Sequence, residues 1–112
     1  MISVTIYRAG HQYRGFLCEG HAGYAEEGYD IICSAVSALT VNTINSIETL
    51  TEDEINVEQG QEGGYLKLDL LGSVSVESCI LMSSLVLGLQ MIEENYGSEF
   101  VKVQIQDCRG NQ

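Results

Sequence analysis

Gly20-His21-Ala22-Gly23, followed by Gly28-Tyr29-Asp30-Ile31-Ile32-Cys33, sets an imidazole beside a glycine-rich stretch and a thiol near the start of a helix-like segment. Those residue types suit nucleophilic catalysis. A thiolate is the attacking species, and it needs a base within hydrogen-bond reach to take its proton. Asp30 reads as a helix N-cap whose carboxylate accepts the backbone N–H of Ile32 or Cys33. Cys33 is then expected as the third helical residue. There the positive end of the helix dipole and the unpaired first-turn amides favour the thiolate. The same amides can hold an oxyanion during acyl transfer. His21 lies twelve residues before Cys33, and the intervening glycines allow it to return to the helix start. Asp30 partly opposes a thiolate by charge; it could instead orient His21, but one side chain is not expected to do that and cap the helix together. Its assigned role is the cap, and a dyad needs no third member.

Each of these residues also has a plainer reading. Inert cysteine is common in globular cores. Glycines usually serve turn geometry, although here they also suit a mobile wall that orders around a peptide. Cys18, His21 and Cys33 form a partial zinc set, but a structural site needs a fourth ligand, which only Asp30 or Cys108 could bring through folding. No metal and no cofactor is assigned. Cys79 sits in a helical segment as a core residue, and Cys108 has no assigned role. Ser34 and Ser37 lack a nucleophile-elbow motif, and Ser37 reads as a small residue beside the thiol. Tyr24 and Tyr29 flank the glycines and either line a substrate cleft or pack the loop. His11 follows a turn glycine. Residues 20–28 lack the lysine ending of a phosphate loop and the dinucleotide fingerprint.

The elements that must position these groups follow from periodicity. Ile2, Val4 and Ile6 alternate with Ser3, Thr5 and Tyr7, which predicts a half-buried strand. A turn at Ala9, Gly10 and His11 leads to a hairpin partner over residues 13–19. From Asp30 the period becomes helical, with Ile32, Val36, Leu39, Thr43, Ile47 and Leu50 on one face. Ile55 and Val57, a turn at residues 61–64, and Leu66, Leu68 and Leu70 predict a second hairpin. Residues 73–95 predict a second helix with Val76, Ile80, Ser83, Leu87 and Met91 on one stripe. Leu81, Met82, Leu85, Val86, Leu89 and Ile92 make it apolar nearly all round, so it is either central or shared with a partner subunit. Val101, Val103 and Ile105 supply a last strand. The order ββαββαβ predicts an α+β fold, two helices on a mostly antiparallel sheet.

Composition bounds the rest. A chain of 112 residues that is 45% hydrophobic is expected to be a single domain, residues 1–112, with one core. Five basic residues against sixteen acidic ones give a net charge of −11, which disfavours direct nucleic-acid contact and suits a basic protein or peptide partner. The start has no basic leader, and the apolar run over residues 80–91 is too short to span a bilayer, so a cytoplasmic location with no membrane partner is expected. Four cysteines in that setting are thiols rather than a disulfide framework.

The chain resembles the bacterial ribosomal-processing cysteine protease family over nearly its whole length. The most specific piece is Gly-His-Ala, a short variable loop, then Gly-x-Asp-x-x-Cys-x-x-x-Ser, here Gly20, His21, Ala22, Gly28, Asp30, Cys33 and Ser37. The resemblance implies that Cys33 is the nucleophile and His21 the base. It implies removal of an N-terminal extension from a large-subunit ribosomal protein, exposing the mature end. It also implies a homodimer and a mobile loop between the histidine and the cysteine. The competing function is a non-enzymatic assembly factor that binds a basic ribosomal protein.

Overall fold

The computed structural model describes residues 1–20, 29–61 and 64–108. The elements are β1 (Ile2–Ala9), β2 (Gln12–Glu19), α1 (Tyr29–Leu50), β3 (Glu54–Gln59), β4 (Tyr65–Leu71), α2 (Val76–Tyr96) and β5 (Val101–Asp107). The strands form one sheet in the order β3-β4-β2-β1-β5. Only β5 runs parallel to its neighbour, pairing Ile2 with Val101 and Ile6 with Ile105. The α+β class and the element order match the expectation from the sequence.

Side-chain alternation puts Ile2, Val4, Ile6, Phe16, Leu68 and Leu70 on the buried face of the sheet. Ile32, Val36, Ile44 and Ile47 of α1 and Met82, Leu85, Val86 and Leu89 of α2 complete the same apolar cluster. In α1, buried Thr40 and Thr43 would be costly without partners. Each Oγ1 donates to the carbonyl four residues back, Thr40 to Val36 at 2.9 Å and Thr43 to Leu39 at 2.8 Å. Gly88 of α2 lets the helices close up, since a Cβ there would stand 3.0 Å from Leu39 Cδ1.

Two helix faces differ from the sequence reading. Leu50 ends α1 exposed rather than on its core stripe. On α2 the stripe Val76, Ile80, Ser83, Leu87 and Met91 faces solvent, and the core takes Met82, Leu85, Val86 and Leu89 instead. Hydropathy does not choose between two apolar faces; contact with the sheet does. The short apolar run also belongs to a longer helix. Both α1 and α2 are long and apolar enough to cross a membrane by length and composition, yet each packs a face into the sheet-bound core, as the helices of a globular core do.

The start of α2 is tied to β3 through Asp53. Its carboxylate accepts from the Ser75 amide at 2.9 Å and the Ser75 hydroxyl at 2.8 Å, while Ser75 Oγ caps the helix by accepting from Ser78 N. The Ser78 hydroxyl, then the Ser75 amide and hydroxyl, hold the Asp53 carboxyl below its usual 3.8. A depressed folded value means that its stabilisation is complete above the unfolded value and fades as pH falls through the lower folded one. Asp53→Asn should therefore flatten the acid limb of stability as pH falls through and below the ordinary carboxylate range, measured by denaturant unfolding.

Candidate active site

The site is built where β2, α1 and the β3–β4 hairpin meet. Strand β2 pairs with β1 on one side and β4 on the other, so Cys18 sits opposite Val4 and Leu66 in the middle of the sheet. It shares the helix-facing side of the strand with Phe16, two residues earlier. Helix α1 lies over this side and carries Cys33 and, one turn later, Ser37. Cys33 and Cys18 are partly buried and packed against the core. Together they open onto a cavity of about 270 Å³. Its apolar part comes from Ile2, Val36, Val41 and Leu66, and its polar part from Ser37, Thr40 and Gln59. Gly60 and Tyr65 close the hairpin side. Ligand pockets for drug-sized molecules run from about 300 to 1,000 Å³, so this space suits a peptide side chain better than a large cofactor.

Helix α1 begins at Tyr29, which makes Asp30 its second residue and Cys33 its fifth, not its cap and third. Tyr29 explains the earlier start. Its ring is 8% exposed and lies 6.3 Å from that of Phe100, so core packing draws this residue into the helix. Asp30 is exposed in the first turn, where its charge complements the dipole without capping. The first-turn amides of α1, which make no bond within the helix, include those of Tyr29, Asp30 and Ile31.

The surroundings of the thiol are poor in solvent. Burial, then the charge of Cys33 and that of Glu19, pushes the Cys18 thiol up to about 11. Burial, then Cys33, also raises the Tyr29 phenol. Among the described residues the Tyr29 hydroxyl is buried without a hydrogen-bond partner.

Of the catalytic and substrate-site residues assigned from the sequence, the structure brings Cys33, Gly20 and Ser37 to the cavity, together with Cys18 of the partial zinc set. Tyr29 packs in the core and Asp30 faces out, so neither is in the lining. His21, Ala22, Gly23, Tyr24 and Gly28 lie outside the described residues. Cys108 does not reach the site. Its N–H bonds the Arg8 carbonyl, four residues along β1 from Val4, the residue opposite Cys18. That is roughly 13 Å away along the strand and rules Cys108 out as a fourth metal ligand with Cys18. Sequence reasoning missed Cys18, Thr40, Gln59, Gly60, Tyr65 and Leu66 as lining residues. Cys18 enters the sequence reading only through a partial zinc set, and nothing local joins the second hairpin to β2.

Gly20 ends β2 with φ +78, and a Cβ there would stand 2.5 Å from the Met1 carbonyl oxygen. A left-handed backbone and a backbone clash both oppose a side chain. Gly20→Ala should cost at least ~1 kcal/mol of stability and lower turnover, because the chain leaves the sheet here toward His21. Thermal unfolding and a cleavage assay check the two effects.

The family profile described as Cysteine protease Prp matches residues 1–102. The chain belongs to the Prp cysteine protease family. It is a cysteine protease. The ribosomal processing cysteine protease Prp of Bacillus subtilis (strain 168) is 30% identical over 101 residues, covering 86% of this chain and 90% of that protein. Among solved structures, SMU.848 from Streptococcus mutans superposes with a TM-score of 0.86 at 32% identity and 96% coverage of both chains. An essential ribosomal processing protease Prp from S. aureus, in complex with a covalently linked product peptide, superposes with a TM-score of 0.83 at 26% identity, covering 95% of this chain and 100% of that one. A Prp protease needs a thiol open to a peptide, and Cys33 is partly buried at the edge of a cavity.

Proposed function

We propose that the chain is an endopeptidase that removes the N-terminal extension of a large-subunit ribosomal protein, with Cys33 as nucleophile and His21 as base. The observation that supports it most is the placement of Cys33 on the lining of a side-chain-sized cavity in a Prp-family chain. In this reading His21 takes the Cys33 proton, and the thiolate attacks the carbonyl at the end of the extension. Donors near the α1 start hold the oxyanion. His21 then protonates the leaving amine, which is the new N-terminus of the mature protein. Water hydrolyses the thioester and releases the extension.

The net charge of −11 favours a basic substrate, as ribosomal proteins are, and assembly of ribosomes places the reaction in the cytoplasm. A homodimer is part of the same proposal. Its support is the α2 stripe, where Val76, Ile80, Leu87 and Met91 are 72%, 63%, 60% and 53% exposed. A non-enzymatic assembly factor would account for the charge but gives no reason for a thiol at the cavity.

Incubation with an extended large-subunit ribosomal protein, followed by product masses, tests the proposal. One cut that frees the mature end supports it, and an intact substrate refutes it. The same assay tests the hairpin wall. Tyr65 is 38% exposed, its ring covers Gly60, and its amide register is held by Gly60 N–H to Tyr65 O at 2.9 Å. If Tyr65 packs against a substrate side chain, Tyr65→Ala should raise KM about five- to tenfold with kcat little changed, the loss of roughly one aromatic contact.

A further inference from the structure

We propose that Cys18 and Cys33 join in a reversible intramolecular disulfide under oxidation, giving this protease a built-in redox switch. The proposal rests on Cys33 being the nucleophile. Its basis is the meeting of two thiols from different elements at one cavity. Strand β2 is hydrogen-bonded on both sides, so Cys18 is held at a fixed place on the helix-facing side of the sheet. Helix α1 brings Cys33 to that place, and both cysteines line the same space of about 270 Å³. The open space that both thiols border is where the sulfurs would meet. All four cysteines are free thiols: Cys79 sits half-buried on α2 and Cys108 exposed beyond β5.

A small peroxide is the oxidant class that fits this space. The Cys33 thiolate attacks one peroxide oxygen, an S–O bond forms, the O–O bond breaks, and water leaves after protonation. Cys33 is then a sulfenic acid. The Cys18 sulfur attacks it, an S–S bond forms, the S–O bond breaks, and the departing hydroxide takes the Cys18 proton as a second water. Two thiols thus lose two electrons and one peroxide gains them. The order follows from the environment of Cys18. Burial, then the Cys33 charge, keeps it protonated, so it competes poorly for peroxide. A sulfenic acid at Cys33 is uncharged and removes the second of those effects when the resolving step begins. The disulfide spares Cys33 from sulfinic acid, which ordinary thiols do not reverse, and a dithiol restores the nucleophile by exchange.

The test treats the protein with hydrogen peroxide, blocks free thiols with an alkylating agent, and maps the peptides by mass before and after dithiothreitol. The expected result is a peptide linked through Cys18 and Cys33, with cleavage activity lost on oxidation and regained on reduction. In Cys18→Ser and Cys18→Ala, each compared with its own untreated sample, the loss should persist after dithiothreitol and Cys33 should carry sulfinic acid. Free Cys18 in wild-type protein whose Cys33 is oxidised, or is linked to Cys79 or Cys108, overturns the pairing. A Cys18–Cys33 link with undiminished cleavage overturns the switch in a different way, because it removes Cys33 from catalysis.

Discussion

Cys33→Ala should abolish processing of an extended ribosomal protein, with a fall of roughly 10⁴-fold or more, while Cys79→Ala should stay within about twofold of wild type. The contrast comes from where the two thiols stand. Cys33 lines the cavity, and Cys79 sits half-buried on α2 and is not among the cavity's lining residues. Alanine at position 33 removes the sulfur that forms the thioester in the proposed cycle, and donors at the helix start cannot replace a nucleophile. Far-ultraviolet circular dichroism and thermal unfolding establish that the variant is folded. A partly buried cysteine loses little packing on truncation, so the fold should persist. Unchanged processing by Cys33→Ala would reject the assignment.

His21→Ala should lower kcat by about 10²- to 10⁴-fold with KM nearly unchanged, the usual span for removing a general acid–base group. The imidazole has two tasks in the proposed cycle. It takes the thiol proton before attack and returns a proton to the leaving amine. Raising the pH should recover part of the loss, because bulk base can then do the first task but not the second. His11, the other histidine, lies in the exposed turn between β1 and β2. His11→Ala serves as the control, expected within about twofold. Steady-state rates across pH for the three proteins read the effect, and an unperturbed His21→Ala profile would remove His21 from the mechanism.

The change of hydrophobic period was enough to read the ββαββαβ order and the α+β class. Strict alternation at Ile2, Val4 and Ile6 and the three-to-four spacing from Ile32 to Ile47 each carry one unambiguous face. Helix α2 was harder because it is apolar all round. Its buried face, Met82, Leu85, Val86 and Leu89, is set by the sheet beneath it rather than by any contrast within the helix. Local chemistry makes Asp30 a good cap and so predicts a later start for α1, while Tyr29, packed near Phe100 far along the chain, lies inside the helix. Cys33 is legible as a candidate from the histidine and glycines before it and from its place near a helix start, and Ser37 as a small residue beside the thiol. Gln59, Gly60 and Tyr65 come to the cavity through the long-range pairing of β2 with β4, and Cys18 through the packing of α1 over β2, which no local pattern shows.

The central claim is that the Cys33 sulfur becomes acylated by the substrate's extension. Acid-quenching the reaction early, then digesting and weighing the peptides, measures this directly. The account predicts an added mass equal to the extension less one water on the peptide that contains Cys33, absent from Cys33→Ala. Cleavage that proceeds with no such adduct, or with the adduct on the Cys18 or Cys79 peptide, would contradict it.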